Sequence, residues 1–167
     1  MQITLPHILF ILFGAITLGA AFMVVTRPNV FHAALFLILA FFGVAGLYVL
    51  LEAPLLAGIQ LFVYIGGIAV LIIFAVMLTR QLMTADRPTV IPQWWVGALV
   101  MAALGGVLGW TVLSHDWAAS AGPVPENTIT ILGTTLVDPQ GMVLPFEVAS
   151  ILLLMALIGA VTVARER

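Results

Sequence analysis

The chain has 167 residues, 63% of them hydrophobic and only 7% charged, with a mean hydropathy of +1.27; a water-soluble domain could not cover that much apolar surface, so this is an integral membrane protein. Five arginines, no lysine and seven acids give a formal net charge of −2, which excludes the basic face that nucleic-acid binding requires. The absence of cysteine excludes disulfides, thiol chemistry and iron–sulfur ligation by this chain, and His7, His32 and His115 lie in different segments, against a metal cluster.

A hydrocarbon core of about 30 Å needs roughly 20 apolar residues in a helix. Five stretches qualify and predict an all-α fold: His7 to Val25, Val30 to Leu51, Leu55 to Thr79, Trp94 to Leu113 and Met142 to Ala164. They are read as one membrane domain over residues 1–167. No basic residue precedes the first apolar run, as a signal peptide would require, so that span is read as retained. The one long connection, 114–141, is rich in turn formers in its first half. Its second half contains TITILGTTLV, whose β-branched residues around Gly133 fit either a short β-hairpin or an irregular loop.

Successive connections of a five-span protein face alternate sides. Arg27 lies in the first connection, Arg80 and Arg87 in the third, and Arg165 and Arg167 at the tail, so all five cations share one side. The second connection holds Glu52, and the fourth holds Asp116, Glu126 and Asp138 without a cation. The positive-inside rule then predicts an outer N-terminus and a cytoplasmic C-terminus, in a bacterial inner (plasma) membrane.

No Lys, Arg, Asp or Glu sits deep in any span, although pumps and carriers keep ionisable groups there, so this chain alone is a poor pump. Three polar residues are read either as members of a polar path or as structural. Glu147, in LPFEVAS, falls near the start of the last span, where a carboxylate placed in the first turn after Pro145 would meet the positive end of the helix dipole. His32 falls in the first turn of the second span, which Asn29 can cap. Gln60, in the third span, is a neutral amide that needs a partner from another helix.

Glycines suited to helix packing recur as Gly43 and Gly46 in the second span and Gly97, Gly105, Gly106 and Gly109 in the fourth. Gly66 and Gly67 differ in being adjacent. They cost on the order of 2 kcal/mol of helix propensity relative to alanine and lie about 13 Å or more along the helix from Leu55, near mid-depth. Close packing is one reading of the pair. The other is a π-type widened turn, a hinge in which Tyr64 could bond a freed carbonyl.

QLFVYIGGIAVLIIFAVML, Gln60 to Leu78, resembles the third-span signature of the J-subunit family of the proton-pumping NADH:quinone oxidoreductases, respiratory complex I, equivalent to mitochondrial subunit 6. RPNVFHAALFLILAFFGVAGLYVLLEA and LPFEVASILLLMALIGAVTVARER resemble the family's second and last spans. The resemblance implies a subunit with no catalytic, cofactor-binding or metal-binding residue, set between the quinone-site subunit and the antiporter-like subunits. NADH, FMN, iron–sulfur clusters and quinone would bind elsewhere in the complex. It further implies a π-bulge over Tyr64, Ile65, Gly66 and Gly67 that can relax to α-helix, with Val70, Ile73 and Phe74 as the apolar face that opens or closes a water path. Some relatives carry glutamate where this chain has Gln60. Two other readings are an equivalent subunit of a ferredoxin-linked relative and an independent small transporter, the latter needing a polar lining for which the sequence offers only Tyr64, Gln60, Tyr48 and Thr17.

Overall fold

A computed structural model describes residues 4–79, 93–115 and 127–165. All regular structure among them is helical: α1 (Leu5–Thr26), α2 (Val30–Leu50), α3 (Pro54–Leu78), α4 (Trp94–Ser114), α5 (Thr128–Val137) and α6 (Val143–Ala164). Every one except α5 is long and apolar enough to cross a membrane, giving the five expected spans. Arg80, Arg87, Asp116, Glu126 and Arg167, which carry part of the orientation argument, lie outside the described residues. The chain divides into two compact units, 1–120 and 121–167.

In the first unit α1 and α3 each pack on α2. The turn from α1 to α2 is fixed locally. Pro28 cannot continue α1, and the Asn29 side-chain oxygen accepts hydrogen bonds from the backbone N–H groups of Phe31 (2.9 Å) and His32 (3.4 Å). This is the cap expected of an asparagine before an apolar run. The Arg27 guanidinium lies 5.6 Å from the centre of the Phe36 ring, so the chain's first cation is held against α2 by its own helix pair.

Small side chains form the seam between these helices. The buried apolar residues described are Ala20, Ala34, Ala40, Ala45, Ala57, Ala69 and Val76, and no large side chain is fully buried. A Cβ added at Gly43 would collide with the Thr17 hydroxyl, and one at Gly46 with the Phe13 ring. The Thr17 hydroxyl is itself turned back onto the Phe13 carbonyl, 2.8 Å away. Lipid tails are as apolar as leucine, so helices in a membrane gain little from burying large side chains and associate through close backbone approach.

The α2–α3 connection ends α2 with two crossed hydrogen bonds, Glu52 N–H to the Val49 carbonyl (3.1 Å) and Ala53 N–H to the Tyr48 carbonyl (3.0 Å). This Schellman arrangement requires a left-handed residue, usually glycine, and here it is Glu52 at φ 54°. Pro54 then opens α3, where its missing N–H is no loss.

The second unit corrects the hairpin expectation. TITILGTTLV forms α5, not two strands. Its Ile129, Leu132 and Leu136 follow helical spacing, and the hydroxyls of Thr134 and Thr135 bond carbonyls three or four residues back, at 2.8–3.1 Å. A lone two-stranded hairpin would leave edge backbone groups unpaired at an apolar boundary, whereas a helix satisfies them within itself. The β propensity of these residues is the weaker term. A tight turn follows, in which Met142 N–H reaches the Thr135 carbonyl at 2.9 Å. A Cβ on Gly141 would stand 2.7 Å from that same oxygen, so the turn demands glycine.

Candidate functional site

The fault in the third span is larger than the sequence indicates. Within α3, residues Pro54–Ile59 are α-helical, Gln60–Ala69 form ten residues of π-helix, and Val70–Leu78 return to α-helix. Tyr64, Ile65, Gly66 and Gly67 lie inside the widened stretch. Its junctions are unstrained: Ile59, Gln60, Ala69 and Val70 all have φ between −58° and −66° and ψ between −36° and −43°. The α-helix thus passes into and out of the π stretch without a distorted residue at either junction.

The two glycines have room around them. A Cβ on Gly66 would meet only the Leu61 carbonyl at 3.4 Å, and one on Gly67 only the Phe62 carbonyl at 4.0 Å, both ordinary contacts. Those carbonyls belong to residues five positions earlier, the spacing of a π turn. Among the described residues, close packing thus accounts for Gly43 and Gly46 but not for Gly66 and Gly67. In α4, a Cβ on Gly97, Gly105, Gly106 or Gly109 would meet nothing within 4 Å, so the expected close approach there is not made among the described residues.

Tyr64 is held edge-on to Phe41 of α2, with ring centres 5.6 Å apart and planes at 75°. Its hydroxyl forms no hydrogen bond among the described residues, so the expected bond to a freed carbonyl of α3 is not made. Phe41 is a part of the site that sequence reasoning missed, because a cross-helix neighbour leaves no local signal. Gln60, at the N-terminal edge of the π segment, is 6% exposed and is the one buried polar residue described. Its side-chain amide likewise finds no partner among the described residues, and its polar atoms keep some exposure, since no fully covered side-chain nitrogen or oxygen described is left unpaired.

Beyond the π segment, Val70, Ile73 and Phe74 lie at i, i+3 and i+4 of regular helix and so share one flank. Ile73 sits nearest the seam marked by Ala69 and Val76, while Val70 and Phe74 are 39% and 57% exposed. His32 is exposed in the first turn of α2, with its ring edge-on to Phe31 at 6.2 Å. It shares no hydrogen bond with Gln60. Glu147 belongs to the second unit. Because α6 starts at Val143, Pro145 is its third residue and Glu147 its fifth, beyond the first turn in which the dipole argument placed it.

A side chain beyond such a segment changes direction if one extra residue is absorbed or released, since each helical residue turns the chain by about 100°. That is conformational chemistry, and among the described residues no three His, Cys, Asp or Glu side chains gather as a metal site would require.

Comparison with known proteins agrees with this architecture. A family model described as NADH-ubiquinone/plastoquinone oxidoreductase chain 6 matches residues 20–163. The NAD(P)H-quinone oxidoreductase chain 6 of a Synechocystis species is 36% identical over 165 residues, covering 96% of this chain and 81% of the relative. The F(420)H(2) dehydrogenase subunit J of Methanosarcina mazei is 39% identical over 166 residues, covering 93% of this chain and 89% of the relative. The NADH-quinone oxidoreductase subunit J of Rhodobacter capsulatus is 34% identical over 157 residues, covering 91% and 78%. The π-interrupted third helix therefore stands in a member of the NADH-ubiquinone/plastoquinone oxidoreductase chain 6 family, to which this chain belongs.

Proposed function

We propose that the chain is a non-catalytic membrane subunit of a proton-translocating quinone oxidoreductase of the complex I family, and that the π segment of α3 is a gate. The observation that carries the gate is the ten-residue π stretch containing two glycines that no neighbouring atom among the described residues excludes from carrying a side chain. Glycine accepts the widened and the regular backbone alike. In the π form Val70, Ile73 and Phe74 occupy the flank described above. Removing one bulge turns them by about 100°, which moves an apolar plug into or out of a water path between this helix and its neighbours.

The moving parts are neutral, so protons influenced by the gate travel on water or on other chains. Gln60 is suited to hold a water at the edge of the widened turn and has no proton to give at physiological pH. The chain has no cysteine to ligate an iron–sulfur cluster, and electron carriers and quinone are assigned to neighbouring subunits, among them a quinone-site subunit and antiporter-like subunits. The relatives are named for NAD(P)H, F(420)H(2) and NADH, so no electron donor is assigned. The arginine distribution supports a cytoplasmic C-terminus.

Gly67→Leu tests the gate. Leucine favours regular helix by about 1 kcal/mol over glycine and its Cβ meets no obstacle. Coupled proton translocation in the assembled enzyme is expected to fall several-fold, with α3 shifted toward regular α-helix in its structure. Unchanged pumping together with an unchanged π segment would overturn the reading.

A further inference from the structure

Tyr64 stands midway through the π segment, and among the described residues its ring pair with Phe41 is the one that joins α3 to α2. The next residue of α2, Phe42, meets Phe13 of α1 edge-on, with ring centres 6.5 Å apart and planes at 62°. Consecutive residues of a helix point about 100° apart, so two adjacent phenylalanines serve two different neighbours. All of these residues lie in the first unit.

The partners in the Phe41–Tyr64 pair are not equally free to move. Helix α2 is capped by Asn29 at its start, closed by crossed hydrogen bonds at its end, and seated on α1 where Gly43 and Gly46 meet Thr17 and Phe13. The start of α3 is fixed as well, because only residues 51–53 separate it from α2 and both Ala57 and Gln60 are buried. If the π segment takes up regular bonding, the turn is therefore expressed in its later residues, Tyr64 among them. Tyr64 then travels around the α3 axis by part of the about 100° gained beyond the segment, while Phe41 stays in place. Aromatic pairs attract with ring centres about 4.5–7 Å apart, so the 5.6 Å contact belongs to the π form. Because the Tyr64 hydroxyl has no hydrogen bond among the described residues, it is this ring contact that places the side chain.

We infer that Phe41 is a positioning residue for α3: its ring latches Tyr64 and biases the segment toward the π form. An aromatic pair of this kind shifts a two-state ratio by about two- to tenfold, enough to bias the segment and too little to lock it. The inference rests on the reading of the segment as convertible, which the gate requires, but not on its moving a water path.

In the assembled enzyme, Phe41→Leu removes the ring and keeps an apolar side chain. Amide hydrogen exchange over residues 60–69 is expected to slow by about two- to tenfold, because the population shifts toward regular bonding. A merely structural role predicts the opposite sign, since loosened packing speeds exchange. Tyr64→Leu releases the same latch from α3; it should slow exchange to the same extent, and it serves alone if Phe41→Leu fails to assemble. Combining Phe41→Leu with Tyr64→Leu should add nothing further. Phe42→Leu, which removes the ring facing α1, should leave residues 60–69 unchanged. Faster or unaltered exchange in Phe41→Leu, additive effects in the double variant, or equal slowing in Phe42→Leu would overturn the latch. Slower exchange with unchanged coupled proton translocation would uphold the latch and overturn the gate, which is a separate outcome.

Discussion

Gly46 and Gly105 occupy similar apolar helices and have opposite surroundings. At Gly46 any side chain must displace the Phe13 ring, whereas Gly105 has open space around it among the described residues. Gly46→Val is therefore expected to separate α1 from α2 at a cost of about 1–3 kcal/mol, the usual range for overpacking. Gly105→Val should leave the α1–α2 pair intact. Thermal denaturation of the two variants in detergent measures the difference, and equal loss in both would show that the seam is not the determining contact. Asn29 and Glu52 make the same point about legibility. The cap was readable because asparagine before an apolar run has one dominant use. The left-handed backbone of Glu52 was not, because nothing in the side chain favours that conformation and the turn between two fixed helices imposes it.

At the scale of the element, α3 combines a weak middle with firm ends. Pro54 opens it, Ala57, Ala69 and Val76 anchor it by burial, and the π stretch begins beyond the first of these anchors and ends on the second. Gly66→Ala combined with Gly67→Ala introduces no clash and removes about 2 kcal/mol of helix-propensity penalty. Amide hydrogen exchange over residues 60–69 should slow relative to the unsubstituted chain, because regular bonding raises the cost of local opening. Equal exchange would mean that the glycines do not set the conformation. The sequence located the weak point through Tyr64 and the glycine pair. Its extension back to Gln60 and forward to Ala69 was hidden, because those residues carry no helix-breaking chemistry and their register follows from packing on α2. TITILGTTLV shows the converse: its β-branched composition favoured strands, and the lack of a second sheet to pair with made it helix.

Across the whole molecule, the described apolar core is built from alanine, glycine and one valine, and most large apolar side chains of every span but α2 are exposed among the described residues, those of α2 being mostly half-buried. Lipid covers some of that surface, but the seams among α1, α2 and α3 hold no large buried side chain that would fix them strongly. The isolated chain in detergent is accordingly expected to lose cooperative unfolding, and co-purification with its neighbouring subunits should restore it, as followed by circular dichroism melting. A sharp transition in the chain alone would contradict this.

Composition and hydrophobic period were enough to determine the membrane class, the all-α fold and the five spans, because the bilayer imposes a fixed length and leaves helix as the way to satisfy the backbone in each. The positions of the cap and of the weak point in α3 were also local matters, written in asparagine and in paired glycines. Tertiary structure alone decided which glycines are packing contacts, how far the π stretch runs, that Tyr64 leans on Phe41, and that Glu52 takes a left-handed turn. The glycine contacts and the Tyr64–Phe41 pair depend on atoms brought together from different helices, and the sequence of one helix does not contain the distance to the next.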